Sequence, residues 1–106
     1  MFALLIALQV ASAQPAPVLV PVVQPPGRIA KILKKSDGRS QATAYRVRSV
    51  REEYEILRVF GLEPGVQSLT IGSNNKPYDR IEAKNPKTGE TVELWFDISS
   101  FYGLGF

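Results

Sequence analysis

The first 27 residues limit how much of this chain can form a folded domain. An uncharged apolar run from Phe2 to Val10 leads into Ala11-Ser12-Ala13 and then into a proline-rich stretch. A short apolar core that ends in a small-x-small site is typical of a secretory signal peptide. We therefore expect residues 1–13 to be a signal peptide, the mature chain to begin at Gln14, and the protein to be exported to the periplasm or the extracellular space.

This interpretation has two alternatives. The first Lys or Arg in the sequence is Arg28, so the basic region that usually opens a signal peptide is missing unless translation starts upstream. An uncleaved membrane anchor is one alternative, but a span needs about 20 consecutive apolar residues, and Pro15, Pro17 and Pro21 interrupt the run. The other alternative is an ordinary disordered N-terminus.

Residues 14–27 form the second part of the chain. They contain five prolines, which favour an extended polyproline II conformation because proline fixes φ and removes the amide donor. At about 3.1 Å per residue, this stretch would reach roughly 40 Å. We expect a proline-rich extended linker that acts as a spacer, with a docking strip for an aromatic groove as the alternative.

Positive charge is concentrated after the linker. Residues 28–51 contain eight basic residues and one acidic residue, whereas the chain as a whole has a net charge of +3. Ile29, Ile32 and Leu33 have helical spacing, but two turns alone are marginal in water, so we expect residues 28–42 to be a basic flexible segment. The candidate contacts to an anionic membrane surface or a cell-wall polymer are Arg28, Lys31, Lys34 and Lys35. The alternative is a solubilising linker. No nucleic-acid partner is expected, because an exported protein seldom meets nucleic acid and no aromatic residues are interleaved with these four charges.

Residues 43–106 are predicted to form a small α+β domain. Thr43–Val47 reads as a short strand, and a helix is predicted over residues 50–60. Ser49 and Glu52 have the spacing of a capping box, and Gly61 suits the helix C-terminus. Val50, Tyr54 and Leu57 are expected to form the buried stripe of this helix, which Ile56 and Phe60 widen.

After the helix, the apolar period changes to two. Leu69 and Ile71 lie in a first strand that ends at a tight connection over residues 72–75, and two further strands follow over residues 78–84 and 91–98. Residues 86–89 suit a four-residue loop, which sets Ile81 opposite Leu94. The predicted order is β-α-β-β-β, with one short capped helix packed on a small antiparallel sheet. This order resembles PepSY-type domains and, more distantly, cystatins, over about residues 43–99 and without a shared motif, so no functional residue is implied.

The outer face of the predicted sheet is the candidate binding face. The register places Tyr78, Arg80, Trp95 and Asp97 on it, with Arg80 positioned to stack on Trp95. A tryptophan on a polar face needs cover, so we expect it either to lie under the chain termini or to anchor a protein partner. The aromatic tail from Phe101 onward is expected to pack back on the domain.

The composition argues against catalysis. The chain has no histidine and no cysteine, which removes the usual general base, the commonest zinc ligands and cysteine-linked lipid. No phosphate-binding loop or nucleophile motif is present, and no cofactor or metal is predicted. We expect a noncatalytic protein-binding, inhibitor or escort module, with a peripheral surface protein as the first alternative. The second alternative is an enzyme that uses the carboxylates of Asp79, Glu82, Glu93 and Asp97.

Overall fold

A computed structural model describes residues 18–103 of the chain. It contains two helices and a four-stranded sheet, which confirms the α+β class. The elements in chain order are α1 (Gly27–Lys35), β1 (Tyr45–Arg46), α2 (Val50–Val59), β2 (Glu63–Ile71), β3 (Pro77–Lys84) and β4 (Thr91–Asp97). The signal peptide predicted for residues 1–13, the first part of the linker and the last three residues of the tail lie outside the described residues.

Both ends of α2 are formed by the local signals that the sequence contains. The Ser49 side chain accepts a hydrogen bond from the Glu52 amide at 3.2 Å, and the Glu52 carboxylate accepts one from the Arg48 amide at 2.7 Å. At the other end, Gly61 has a φ of 66°, and the Leu62 amide donates to the Leu57 carbonyl at 2.9 Å. This is a Schellman motif, which satisfies carbonyls that the last helical turn leaves free.

The register of the β3–β4 hairpin is confirmed. Ile81 lies opposite Leu94, and the connecting loop is closed by a 2.8 Å hydrogen bond from the Asn85 amide to the Glu90 carbonyl. The strand order is β1-β4-β3-β2. However, β1 runs parallel to β4, so the sheet is mixed rather than antiparallel as predicted. The alternation of polar and apolar residues predicts a strand but not the strand with which it pairs. The pairing of β1 with β4 depends on contacts between residues that are distant in sequence.

The buried face of α2 differs from the predicted one. Val50 and Tyr54 are 45% and 40% exposed, whereas Glu53 is only 1% exposed. The buried residues at the spacing i, i+3, i+4 and i+7 are Glu53, Ile56, Leu57 and Phe60, and Val59 is buried beside them. The predicted stripe was therefore wrong at its first two positions, because a glutamate occupies a core position of the true stripe.

Helix α1 corrects the expectation of a flexible segment over residues 28–42. Ile29 and Ile32 are buried in the main core, and Leu33 packs against it. Two isolated helical turns are marginal, but burial of an apolar face supplies the stability that the local sequence lacks. The folded unit thus begins near residue 27 rather than at residue 43.

The end of the proline-rich stretch also contacts the domain. Leu19 packs against the core, and the Val22 amide donates a 2.7 Å hydrogen bond to the Val59 carbonyl at the end of α2. Residues 19–22 are therefore attached to the domain and are not a free spacer. At the other end of the chain, Phe101 is 7% exposed and belongs to the core, as predicted for the start of the tail.

Neither α1 nor α2, the helices of residues 18–103, has the length and apolar composition needed to cross a membrane.

Candidate functional site

A pocket of about 850 Å³ lies between α1, β1 and the end of the β2–β3 hairpin. Helix α1 forms one wall, because Arg28, Lys31 and Lys35 follow the i, i+3, i+7 spacing of a single helix face. Ile32 lies between them and contributes apolar surface to the wall. This wall therefore carries three positive charges over about two helical turns.

The opposite side of the pocket is formed by β1 and its neighbours. Arg46 lies in β1 and Arg48 follows two residues later, and both line the pocket. Lys76 joins them from the turn that precedes β3. We call these six cationic side chains and their surroundings the basic pocket. The one carboxylate that lines the basic pocket belongs to Asp97.

The charge of Asp97 is already matched inside the protein. Its carboxylate accepts hydrogen bonds from the Ser99 amide at 2.9 Å and the Ser99 hydroxyl at 2.6 Å, and it lies 3.7 Å from the Lys76 ammonium. Burial alone would raise the pKa of Asp97, but the Ser99 hydrogen bonds and the charges of Lys76 and Arg46 outweigh it and lower the pKa. Asp97 is thus ionised near neutral pH and helps to hold Lys76 in place.

A second internal pair fixes one corner of the pocket. The Arg28 guanidinium donates to both oxygens of Glu52, with an Nε to Oε2 distance of 2.6 Å and an Nη2 to Oε1 distance of 3.3 Å. Burial opposes ionisation of Glu52, but the Arg28 hydrogen bond and the Arg48 amide outweigh it and lower the pKa of this carboxyl. The pair ties α1 to the start of α2, and it leaves most of the positive charge of the pocket unmatched.

Within residues 18–103, no salt bridge to a carboxylate is formed by four of the lining cations, Lys31, Lys35, Arg46 and Arg48. Side chains of one sign in a concave surface focus the electrostatic field and raise the local concentration of ions of opposite charge. The arrangement is therefore suited to hold an anionic group.

The predicted binding face is only partly included in this pocket. The observed register places Tyr78, Arg80, Trp95 and Asp97 on one face of the sheet, as expected. Tyr78 and Asp97 line the pocket, whereas Arg80 and Trp95 do not. The role of all four as a binding face stays a prediction.

Arg80 and Trp95 contact each other and their neighbours. The Arg80 guanidinium lies 4.8 Å from the centroid of the Trp95 ring and donates to Glu93 at 2.7 Å. The Tyr78 ring meets the Trp95 ring edge-on, with centroids 5.8 Å apart. Tyr78 and Arg80 therefore cover part of Trp95, and Phe101 belongs to the core. Cover of Trp95 by the chain termini stays a prediction, because residues 1–17 and 104–106 lie outside the described residues.

The predicted anionic-surface contacts are also divided by the structure. Arg28, Lys31 and Lys35 line the pocket, and Lys34 lies outside it on the exposed side of α1. The sequence analysis missed Arg46, Arg48 and Lys76 as candidates. The first two belong to the basic stretch of the sequence, but their convergence with α1 depends on the parallel pairing of β1 with β4.

The four carboxylates that were considered for an enzyme do not converge. Glu82 and Glu93 lie opposite each other on the outer face, Asp97 lines the pocket, and Asp79 lies on the helix side of the sheet near Glu53. Burial, together with a hydrogen bond to Asp79 and the charge of Asp79, raises the pKa of Glu53 to about 9. In residues 18–103, no group of three or more His, Cys, Asp or Glu side chains is arranged to hold a metal ion.

Comparison with known proteins gives a family but no function. Residues 27–103 match the sequence model of a family described as "Domain of unknown function (DUF4919)". This range begins at the first residue of α1 and covers every helix and strand of the structure. No curated protein and no solved structure matches the chain. The match covers most of the sequence, and the chain therefore belongs to the DUF4919 family.

Proposed function

We propose that this chain is an exported, noncatalytic binding module that takes an acidic segment of a partner protein into the basic pocket. The observation that carries the proposal is a pocket of about 850 Å³ lined by six cationic side chains and one carboxylate. Because Glu52 and Asp97 balance only part of this charge, an acidic ligand would gain electrostatic free energy on entering.

The shape of the pocket favours an extended segment over a flat surface. Cations stand on two sides, with Lys31 and Lys35 on α1 and Arg46 and Arg48 on the strand side. A narrow acidic chain can lie between the two sides, whereas a planar membrane contacts only the rims of a concave site. The lining also includes Ile32, Val47 and the Tyr78 ring, which offer apolar contact to the aliphatic part of a ligand.

The noncatalytic and exported character of the module rests on sequence observations. The chain has no histidine and no cysteine, and the carboxylates considered for catalysis are distributed over two faces of the sheet. The signal-like pattern of residues 1–13 supports export. We expect no nucleic-acid partner.

The test is a binding titration with a fluorescently labelled oligoglutamate peptide, followed by anisotropy. We expect wild-type protein to bind and to lose affinity as salt is raised, because ions screen the exposed charges. Lys31→Glu combined with Arg46→Glu should weaken binding by at least about tenfold per reversed charge.

The matched control is Lys84→Glu combined with Lys87→Glu. These lysines lie near the β3–β4 loop, are exposed, and do not line the pocket, yet their reversal changes the net charge by the same amount. Equal loss of binding in both double variants would show that net charge alone is responsible and would refute the proposed site. A loss of comparable size in Trp95→Ala would extend the site across the predicted binding face.

A second candidate function is peripheral binding to an anionic membrane surface or cell-wall polymer through residues 28–35. It is favoured by one observation: all four of the basic side chains of α1 are exposed, and Lys34 points outside the pocket. Co-sedimentation with anionic vesicles at low and high salt tests it. Lys34→Glu separates the two functions, because it should reduce vesicle binding without changing the affinity for the acidic peptide.

A further inference from the structure

Strand β2 is an edge strand of the sheet and is almost entirely exposed. Among residues 18–103, the strand order leaves one side of β2 without a neighbouring strand, and of its nine residues only Thr70 is partly covered. Proteins usually protect such an edge with lysines, prolines or bulges. Here Pro64 and the bulge between Pro64 and Gln67 protect only the first half. The second half, Gln67–Ile71, contains no charge and no proline.

The hydrogen-bonding phase of β2 shows which backbone groups reach the free edge. The Gly72 amide donates to the Lys76 carbonyl at 2.8 Å, and paired positions then alternate along an antiparallel ladder. Ser68 and Thr70 therefore bond to β3, and the amides and carbonyls of Gln67, Leu69 and Ile71 point outward.

An apolar patch lies beside this edge. Leu69 and Ile71 are 52% and 56% exposed, and Val50 and Tyr54 on α2 are 45% and 40% exposed. The Gln67 side chain donates a 2.6 Å hydrogen bond to the Tyr54 hydroxyl, which holds helix and strand side by side. The four apolar side chains expose roughly 350 Å², within the range of patches on monomers that are often functional. We call these four residues and the outer edge of Gln67–Ile71 the edge patch.

We propose that the edge patch pairs with the edge patch of a second copy of this chain, joining two four-stranded sheets into one. Antiparallel pairing about Leu69 brings Leu69 opposite Leu69 and Gln67 opposite Ile71, so that each outward amide finds a carbonyl. The apolar side chains then meet on the helix side, and Ser68 meets Thr70 on the outer side.

The uncharged sequence of the edge is what selects a second copy as the partner. A two-fold interface sets a surface against its own copy, so an edge with charges of one sign would repel itself, and the uncharged segment Gln67–Ile71 has no such repulsion. None of the six cations of the basic pocket lies on β2, and the nearest of them in sequence, Lys76, lies in the β2–β3 turn, so pairing of Gln67–Ile71 sets no two cations of the pocket directly opposite each other. Two patches bury about 700 Å² in total, which is below the ~1,200 Å² of stable specific interfaces and corresponds to a weak dimer.

Sedimentation equilibrium of the purified chain tests the proposal. We expect a monomer–dimer equilibrium with a Kd between about 10 μM and 1 mM. Leu69→Lys combined with Ile71→Lys should raise the Kd by at least about tenfold, because it places like charges at the centre of the interface. The control is Val20→Lys, which adds a lysine at a position that is 64% exposed and distant in sequence from β2. Circular dichroism of each variant checks that it is folded.

Amide hydrogen exchange tests the pairing mode. As concentration rises, the amides of Gln67, Leu69 and Ile71 should gain protection, whereas those of Ser68 and Thr70 should be protected at every concentration. A wild-type chain that stays monomeric at about 1 mM would overturn the proposal and leave the edge to an extended segment of another protein. An unchanged Kd in the folded double lysine variant, or no added protection at the three outward amides, would also overturn it.

Discussion

Glu53 should make the stability of this domain depend on pH over the neutral range. Its side chain is 1% exposed, and one carboxyl oxygen, Oε2, has no hydrogen-bond partner. Burial, a hydrogen bond to Asp79 and the charge of Asp79 raise its pKa from 4.5 to about 9. Between these two values the folded state holds a proton that the unfolded state has lost, so unfolding releases a proton. The free energy of unfolding therefore decreases as pH rises through this window.

The magnitude follows from one released proton. The free energy of unfolding changes by about 1.4 kcal/mol per pH unit for each proton. Between about pH 6 and pH 8, the domain should lose about 2.7 kcal/mol, which is a large part of the ~5–15 kcal/mol that stabilises a typical domain. Above the folded-state pKa, the loss levels off because both states are then ionised.

Urea unfolding monitored by the fluorescence of Trp95 measures this slope at three pH values across the window. Glu53→Gln keeps the size of the side chain and its ability to donate to Asp79 but cannot ionise, so its stability should be nearly flat over the same range. Glu55→Gln, a partly exposed neighbour on the same helix, should keep the wild-type slope. Asp79→Asn removes the negative charge that opposes ionisation of Glu53, so it should lower the folded-state pKa of Glu53. The pH range over which stability decreases should then end at a lower pH. The reasoning fails if the slope of Glu53→Gln equals that of the wild type.

Three further predictions concern the chain outside this pair. Gly38→Ala should lower the free energy of unfolding by about 2–4 kcal/mol, because Gly38 has a φ of 69° and a Cβ there would overlap the Tyr45 ring. Gly89 has a φ of 78° but open space around it, so Gly89→Ala should lower the free energy of unfolding by only about 1–2 kcal/mol in the same denaturation assay. Ser49→Ala should lower the free energy of unfolding by about 1 kcal/mol, because the Glu52 amide loses its side-chain acceptor at the start of α2. Ser99→Ala, which alters no helix cap, should leave the helical circular dichroism signal unchanged. Mass spectrometry of protein isolated from the native host should give the mass of a chain whose first residue is Gln14. A mass that includes residues 1–13 would contradict cleavage.

Local sequence signals were sufficient for the elements whose contacts are close in the chain. The start and end of α2 follow from Ser49, Glu52 and Gly61, because each acts on backbone groups within a few residues. The register of β3 with β4 follows from the loop length and the alternation of apolar residues. The placement of Arg80 across from Trp95 was predicted in the same way, and the structure places the two side chains in contact.

The rotation of α2 could not be predicted from hydrophobicity alone. A stripe through Tyr54 and a stripe through Glu53 differ by one position, and hydrophobicity favours the first. Asp79 on β3 lies next to the buried Glu53 side chain, and a protonated Glu53 can donate a hydrogen bond to the Asp79 carboxylate. The spacing of Glu53, Ile56, Leu57 and Phe60 is the signal that would have found the correct face, but it requires a glutamate to be accepted as a core residue.

The sequence by itself determined the α+β class, the caps of α2 and the pairing of β3 with β4, because these depend on interactions between near neighbours in the chain. Only the tertiary structure decided that α1 is folded, that β1 lies parallel to β4 and that the cations of both meet around one pocket. These features join segments of the chain that are distant in sequence, and their stability comes from burial of Ile29, Ile32 and Tyr45 in a shared core rather than from local propensity. The charge of residues 28–51 was visible in the sequence, but its shape as a binding site was decided by that core.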